Sequence, residues 1–224
     1  LAGGVGAGGG LRDAAAGGAV RAGFERAVAG MSGGAGTNAQ CGSLRLVVPL
    51  VRAAAATGRA VSPDGAAAVA GSTTVDDGAA FYRAVEHVDV AVGDPPEGMA
   101  DLDVRRGAAA VPALRERGLT LSDVLARSPA DGNAAEWTGG FRRTFRTAGR
   151  IVDDEGPLAD RVARAFLDRP AADTDSLVRT THGPEVAAEV RERAAAARGE
   201  PEAVAALDAE HPDRGSNPGP APQL

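Results

Sequence analysis

The chain has 224 residues, 44% of them apolar, enough for one sizeable core, although that supply is mostly Ala, Val and Leu with 3% aromatics. Its 24 basic residues are all arginine, which excludes a lysine Schiff base, a lysine general base and a P-loop lysine. A net charge of −6 speaks against bulk affinity for nucleic acid, and the single Cys41 excludes an internal disulfide and a multi-cysteine zinc site.

In chain order, the first stretch is dense in glycine and satisfies G-x-G-x-x-G at Gly4, Gly6 and Gly9. A dinucleotide fingerprint needs a preceding strand, and only three residues precede it in this sequence, so a glycine-loosened helix is the reading. Leu11 to Met31 spaces Leu11, Ala15, Val20, Phe24 and Val28 for one helical face. Leu44 to Ala56 reads as a buried helix that Pro49 kinks or starts. Ser62-Pro63-Asp64 is an N-cap with proline at the first helical position. Thr74 with Asp77 forms a capping box, with Asp in place of Glu, opening a helix through Phe81, Tyr82 and Val85.

Val88 to Val92 alternates like a strand, but it continues a helix and stops at Gly93-Asp94-Pro95-Pro96, so it reads as a helix end or loop. Thr120 with Asp123 repeats the capping device, and Asn133 with Glu136 does so before Trp137, Phe141 and Phe145. Pro157 starts another helix, which Pro170 ends; Pro184 to Arg198 is amphipathic, with Gly199 as its C-cap. Pro201 to Glu210 is a last short helix, and the tail from Pro212 has the composition of a disordered segment. The expectation is an all-α fold: a single multi-helix bundle over residues 1–211 and a disordered tail over 212–224. Arg45 and Arg52 interrupt the most apolar stretch, which is too short to span a bilayer, and no basic-then-apolar leader opens the chain. A soluble cytoplasmic protein without a membrane partner is expected; assembly into a homo-oligomer is left open.

Four groups of residues invite a chemical reading beside a bland one. Gly36 to Gly42 is a glycine-flanked polar loop before a helix, where free N–H groups and the amides of Asn38 and Gln40 suit an anion, or simply cap the helix. Asp76 and Asp77 stand at a helix start, where they serve as caps or as a carboxylate pair for Mg²⁺ or a developing cation; His87 follows about three helical turns later. Arg105 and Arg106 precede Gly107 as a phosphate-gripping pair or a solvated cluster. Asp175 and the His182-Gly183 pair flank another short connection, where a lone histidine is more often a packing residue.

Taken in order, Gly36–Gly42, Thr73–Asp77 with Phe81–Ala84, Leu102–Gly107, Gly132–Trp137 with Phe141, Asp175–Gly183 and Gly215–Gly219 resemble the triphosphoribosyl-dephospho-CoA synthase family, in its archaeal, halophile-type branch. The resemblance runs from about Leu1 to Gly219 and implies an all-α fold. It also implies transfer of the 5-triphosphoribosyl group of ATP to the 2′-hydroxyl of 3′-dephospho-CoA, with release of adenine, to make a prosthetic-group precursor. ATP is then a substrate, Mg²⁺ its companion, and dephospho-CoA or a related small molecule the acceptor.

Displacement at C1′ of a ribose passes through an oxocarbenium-like state, so a carboxylate should stabilise the cation and accept the hydroxyl proton. Asp77 and Asp175 are the candidates, with His182 for the departing base or a phosphate. Asn38, Gln40, Gly42, Arg105, Arg106 and Asn217 are expected to hold the nucleotide, and Asp76 with Asp77 the metal. Family members carry a Lys-Pro-Gly-Asn-type segment upstream and an apolar helix after Asn-Pro-Gly, so this chain reads as cut short at both ends. Ala39 and Cys41 stand where Thr and an aromatic are expected, and Thr181 stands where a basic residue is. Two other readings stay open: a catalytically inactive nucleotide-binding or scaffold protein, and ribosyl transfer to a different acceptor.

Overall fold

A computed structural model describes residues 2–32, 41–58, 60–90, 92–128, 131–172 and 176–196. Among them there are helices and no strand, and none of the helices is long and apolar enough to cross a membrane. The chain divides after Phe141 into two compact units.

The first unit opens with an antiparallel helix pair, α1 (Ala2–Ala15) and α2 (Val20–Ser32). The single helix expected from Leu11 to Met31 is therefore two, because Gly17 adopts φ 87° and turns the chain. The glycines of α1 have a packing role. A Cβ on Gly6 would lie 2.1 Å from the Gly30 carbonyl oxygen, and one on Gly10 would lie 2.2 Å from that of Gly23. Only hydrogen side chains let the two backbones approach this closely, which is why a segment so poor in helix formers is a helix at all.

Next, α3 (Cys41–Thr57) starts three residues before the expected Leu44 and runs through Pro49, so the proline does not start it. α4 (Pro63–Gly71) begins as expected, with Ser62 Oγ accepting from the Gly65 N–H at 3.1 Å. α5 (Val75–Val85) carries the full Thr74–Asp77 capping box. Irregular chain follows, then 3-10 turns at Ala100–Leu102 and Val104–Ala110, the second bent at Gly107 (φ 53°). α6 (Val111–Glu116) and α7 (Leu121–Ala126) come next, α7 opened by the Thr120–Asp123 box. α8 (Gly132–Thr138) is capped by Asp131, not by Asn133, which lies inside the helix. Phe24 stacks on Phe81 with ring centroids 6.0 Å apart, and Trp137 meets Phe141 at 6.0 Å; all four are buried.

The second unit holds α9 (Arg142–Asp153), α10 (Leu158–Ala172), α11 (Ser176–His182) and α12 (Pro184–Ala196). The helix expected from Trp137 through Phe145 is broken, since Gly140 (φ 70°) and Phe141 (φ 59°) are both left-handed. α10 continues past Pro170 to Ala172, so that proline does not end it. Val178, Ala187 and Val190 form a small buried cluster, and the Arg161 guanidinium donates to the Ile151 carbonyl at 2.8 Å. The helix expected at Pro201–Glu210 and the tail from Pro212 lie outside the described residues.

Candidate active site

Asp77 is 6% exposed and both of its oxygens are engaged. Oδ2 accepts from the Thr74 N–H and hydroxyl, each at 2.7 Å, which closes the capping box. Oδ1 accepts from the Arg21 N–H at 2.9 Å, so the same carboxylate caps the first turn of α2 across 56 residues. Next to it, the Leu121 N–H donates to the Thr74 carbonyl at 3.3 Å and the Ser122 N–H to Thr73 Oγ1 at 3.2 Å. The N-terminal ends of α2, α5 and α7 thus meet around Thr73–Asp77. Their dipoles place partial positive charge there, a setting that favours an anion.

Asp76 does not join Asp77. Its side chain is 61% exposed and pairs with Arg115 at 3.4 Å, away from the inward-bonded Asp77. Among the described residues no group of three or more His, Cys, Asp or Glu side chains could hold a metal ion. The two expected carboxylates do not converge: Asp77 is filled with hydrogen bonds and Asp76 faces an arginine.

A second polar cluster lies where α3 meets α8. Arg45 donates to both oxygens of Asp131, at 2.9 and 2.7 Å, while Asp131 also accepts from the Asn133 and Ala134 N–H groups. A Cβ on Gly42 would meet Asn133 Nδ2 at 2.6 Å, so glycine at this loop end admits the amide. Glu136 is 7% exposed one turn along α8. Arg45 and Trp137 line a small cavity with Val20, Phe81 and Leu121, which ties this cluster to the starts of α2 and α7. Arg45 and Asp131 carried no motif that sequence reading could use, and Glu136 was read as the capping partner of Asn133. The one available signal was Asp131 itself, an aspartate two residues ahead of the helix that Asn133 was expected to cap.

Arg105 and Arg106 sit at the other end of α5. The Tyr82 hydroxyl donates to the Leu102 carbonyl at 2.6 Å, and Glu86 accepts from the Ala108 N–H at 2.7 Å. From Asp77 to Glu86 the helix rises about 13 Å, so these arginines do not share the Asp77 end. Arg105 is held by Asp103, which accepts its backbone N–H and its Nε–H at 2.9 Å and its Nη2 as well. That hydrogen bonding holds the Asp103 carboxyl below the usual range. Arg106 is exposed, with no ion pair to a described residue.

His182 ends α11 in the second unit, exposed, before Gly183 at φ 91°. Asn38, Gln40, Asp175 and Asn217 lie outside the described residues.

The sequence pattern of the CitG family, ATP:dephospho-CoA triphosphoribosyl transferase, matches residues 1–221. No curated protein matches the chain. Among solved structures, a crystal structure from Archaeoglobus fulgidus described as a triphosphoribosyl-dephospho-CoA synthase superposes with a TM-score of 0.76 at 20% identity. It covers 97% of this chain and 89% of its own, and that likeness shows the shared fold. With nearly the whole length matched, this chain belongs to the ATP:dephospho-CoA triphosphoribosyl transferase family.

Proposed function

We propose that this chain itself performs the family reaction, with dephospho-CoA as acceptor and adenine as leaving group. The observation that carries the proposal is the family match over residues 1–221. In the step, the 2′-hydroxyl oxygen of the acceptor forms a bond to C1′ of the ATP ribose. The bond from C1′ to the adenine nitrogen breaks, and the hydroxyl proton passes to a carboxylate.

Within this proposal the expected roles are reassigned. Asp77 spends its lone pairs on three donors and suits the frame better than the proton transfer. Asp175 is then the general base, and His182 the group that protonates adenine or binds phosphate. The triphosphate stays on the transferred sugar. Gly42, Asn38 and Gln40 supply N–H and amide donors for it, and Arg106 and Asn217 complete the nucleotide contacts. Arg105 is already neutralised by Asp103, which favours reading it as structural. Mg²⁺ enters as the counter-ion of ATP.

The test is incubation of the full chain with ATP, Mg²⁺ and dephospho-CoA, reading free adenine and the product by mass. Asp175→Asn should lower turnover at least about 100-fold with the circular dichroism spectrum unchanged. No adenine from a folded sample overturns the enzyme reading and leaves a binding or scaffold protein. Adenine released only with another acceptor supports ribosyl transfer to that acceptor.

A further inference from the structure

Buried polar atoms in folded proteins almost always have a hydrogen-bond partner, so each exception needs a physical cause. Among the described residues, Ser43 Oγ, Arg45 Nε, Trp137 Nε1 and Arg161 Nε are buried and have none. Two of these atoms belong to residues that line one cavity of the first unit. Its other walls are Val20, Phe24, Val48, Pro49, Phe81 and Leu121. Trp137 is 1% exposed and the Arg45 side chain 13%. Both unpartnered N–H groups are shut off from bulk solvent, and they meet at the junction of α3 with α8.

The chemistry of the walls narrows what can sit there. Indole Nε1–H and guanidinium Nε–H only donate, and the other lining side chains are apolar. A water molecule between the two donors would leave its own hydrogens without an acceptor among the lining side chains, which is costly in a buried place. An ion that only accepts has no such deficit. Charge points the same way. Arg45 reaches Asp131 through Nη2, at 2.9 and 2.7 Å, where the aspartate side chain is 35% exposed and also caps α8. Water screens that contact, whereas the cavity side is apolar, and there a cation attracts an anion more strongly. The cavity is small, which favours a monatomic ion over a phosphate or a carboxylate.

We propose that this cavity is a binding site for a halide ion such as chloride, held by Arg45 Nε–H and Trp137 Nε1–H. The ion completes the hydrogen bonding of Arg45 and so braces α3 against α8. The site lies wholly in the first unit, and it does not depend on the transferase reading.

Trp137 is the single tryptophan, so its indole reports the site by itself. The full chain is kept at constant ionic strength in sulfate, and bromide or chloride replaces sulfate stepwise. An indole that is 1% exposed is shielded from collisions with bulk bromide. Its fluorescence should therefore fall along a saturating curve, and chloride, a weak quencher, should displace bromide and restore the signal. In a proton–nitrogen correlation spectrum, the one indole cross-peak should move with chloride and not with sulfate. Arg45→Lys keeps a charge for Asp131 and loses the Nε–H, and it should bind bromide at least tenfold more weakly. Arg12→Lys, at an exposed position, should bind as wild type does. The melting temperature should rise with chloride in wild type but not in Trp137→Phe, which keeps an aromatic ring and removes the donor. Quenching that is absent, or merely proportional to bromide concentration, overturns the site; this wild-type result decides even where a variant fails to fold. So does an indole shift that sulfate reproduces, or a chloride-dependent melting rise that survives in Trp137→Phe. A long-lived water at the indole N–H under saturating chloride overturns the anion assignment.

Discussion

Tyr82, the single tyrosine, is 1% exposed. Burial, and after it the charges of Asp103 and Asp101, push its hydroxyl up to about 12. The folded state therefore keeps a proton that the unfolded chain releases near pH 10. Its contribution is complete below that value and is lost as pH rises, by about 2–3 kcal/mol between roughly pH 10 and 12. The absence of lysine leaves this window unusually clear, with Cys41, also pushed up by burial, as the other side chain to titrate near it. Urea unfolding of wild type and Tyr82→Phe across this range should show the wild type losing that much more than the variant; parallel curves would sink the assignment. Asp77 and Asp131 show what reading residues alone can reach. The Thr74–Asp77 box was legible because its partners lie three residues apart. The bond from Asp77 to the Arg21 N–H was not, because nothing local links positions 56 residues apart.

Between α1 and α2, two glycines of the same helix have opposite meanings. Gly6→Ala drives a Cβ against the Gly30 carbonyl, whereas a Cβ on Gly8 finds only the tip of the Arg12 side chain, at 3.6 Å. Gly8→Ala should stabilise the protein by about 0.5–1 kcal/mol through helix propensity. Gly6→Ala should instead destabilise it by about 1–3 kcal/mol, because the backbones must move apart. Chemical denaturation of the two variants checks both signs, and two stabilising changes would show that the contact is not tight. Helix starts were legible at Ser62, Thr74 and Thr120, where a side chain bonds its own next turn. Helix ends were harder. Pro170 lies inside α10, and the break at Gly140–Phe141 depends on two left-handed residues whose conformation the surrounding packing selects.

At the scale of the molecule, the two units differ in what they bury. The first contains Trp137, Tyr82, Phe141, Phe24, Phe81 and Leu114 in its core; the second, among its described residues, buries Ile151, Ala165, Val178, Ala187 and Val190. Residues 1–141 expressed alone should unfold cooperatively with near-ultraviolet signal from Trp137, while residues 142–224 alone should not, because the side chains it buries among its described residues include no aromatic. Cooperative unfolding of the second fragment would refute this.

The sequence by itself determined that the chain is helical, where several helices begin, and which family it resembles. Those properties reside in short-range capping, spacing and ordered motifs. Tertiary structure decided what the chemistry-bearing residues can do. It spent Asp77 on two helix caps, gave Asp76 to Arg115 and Arg105 to Asp103, and paired Arg45 with Asp131 across 86 residues. The physical reason is that a carboxylate or guanidinium has a fixed number of hydrogen-bonding positions, and only the folded chain settles which partner occupies them.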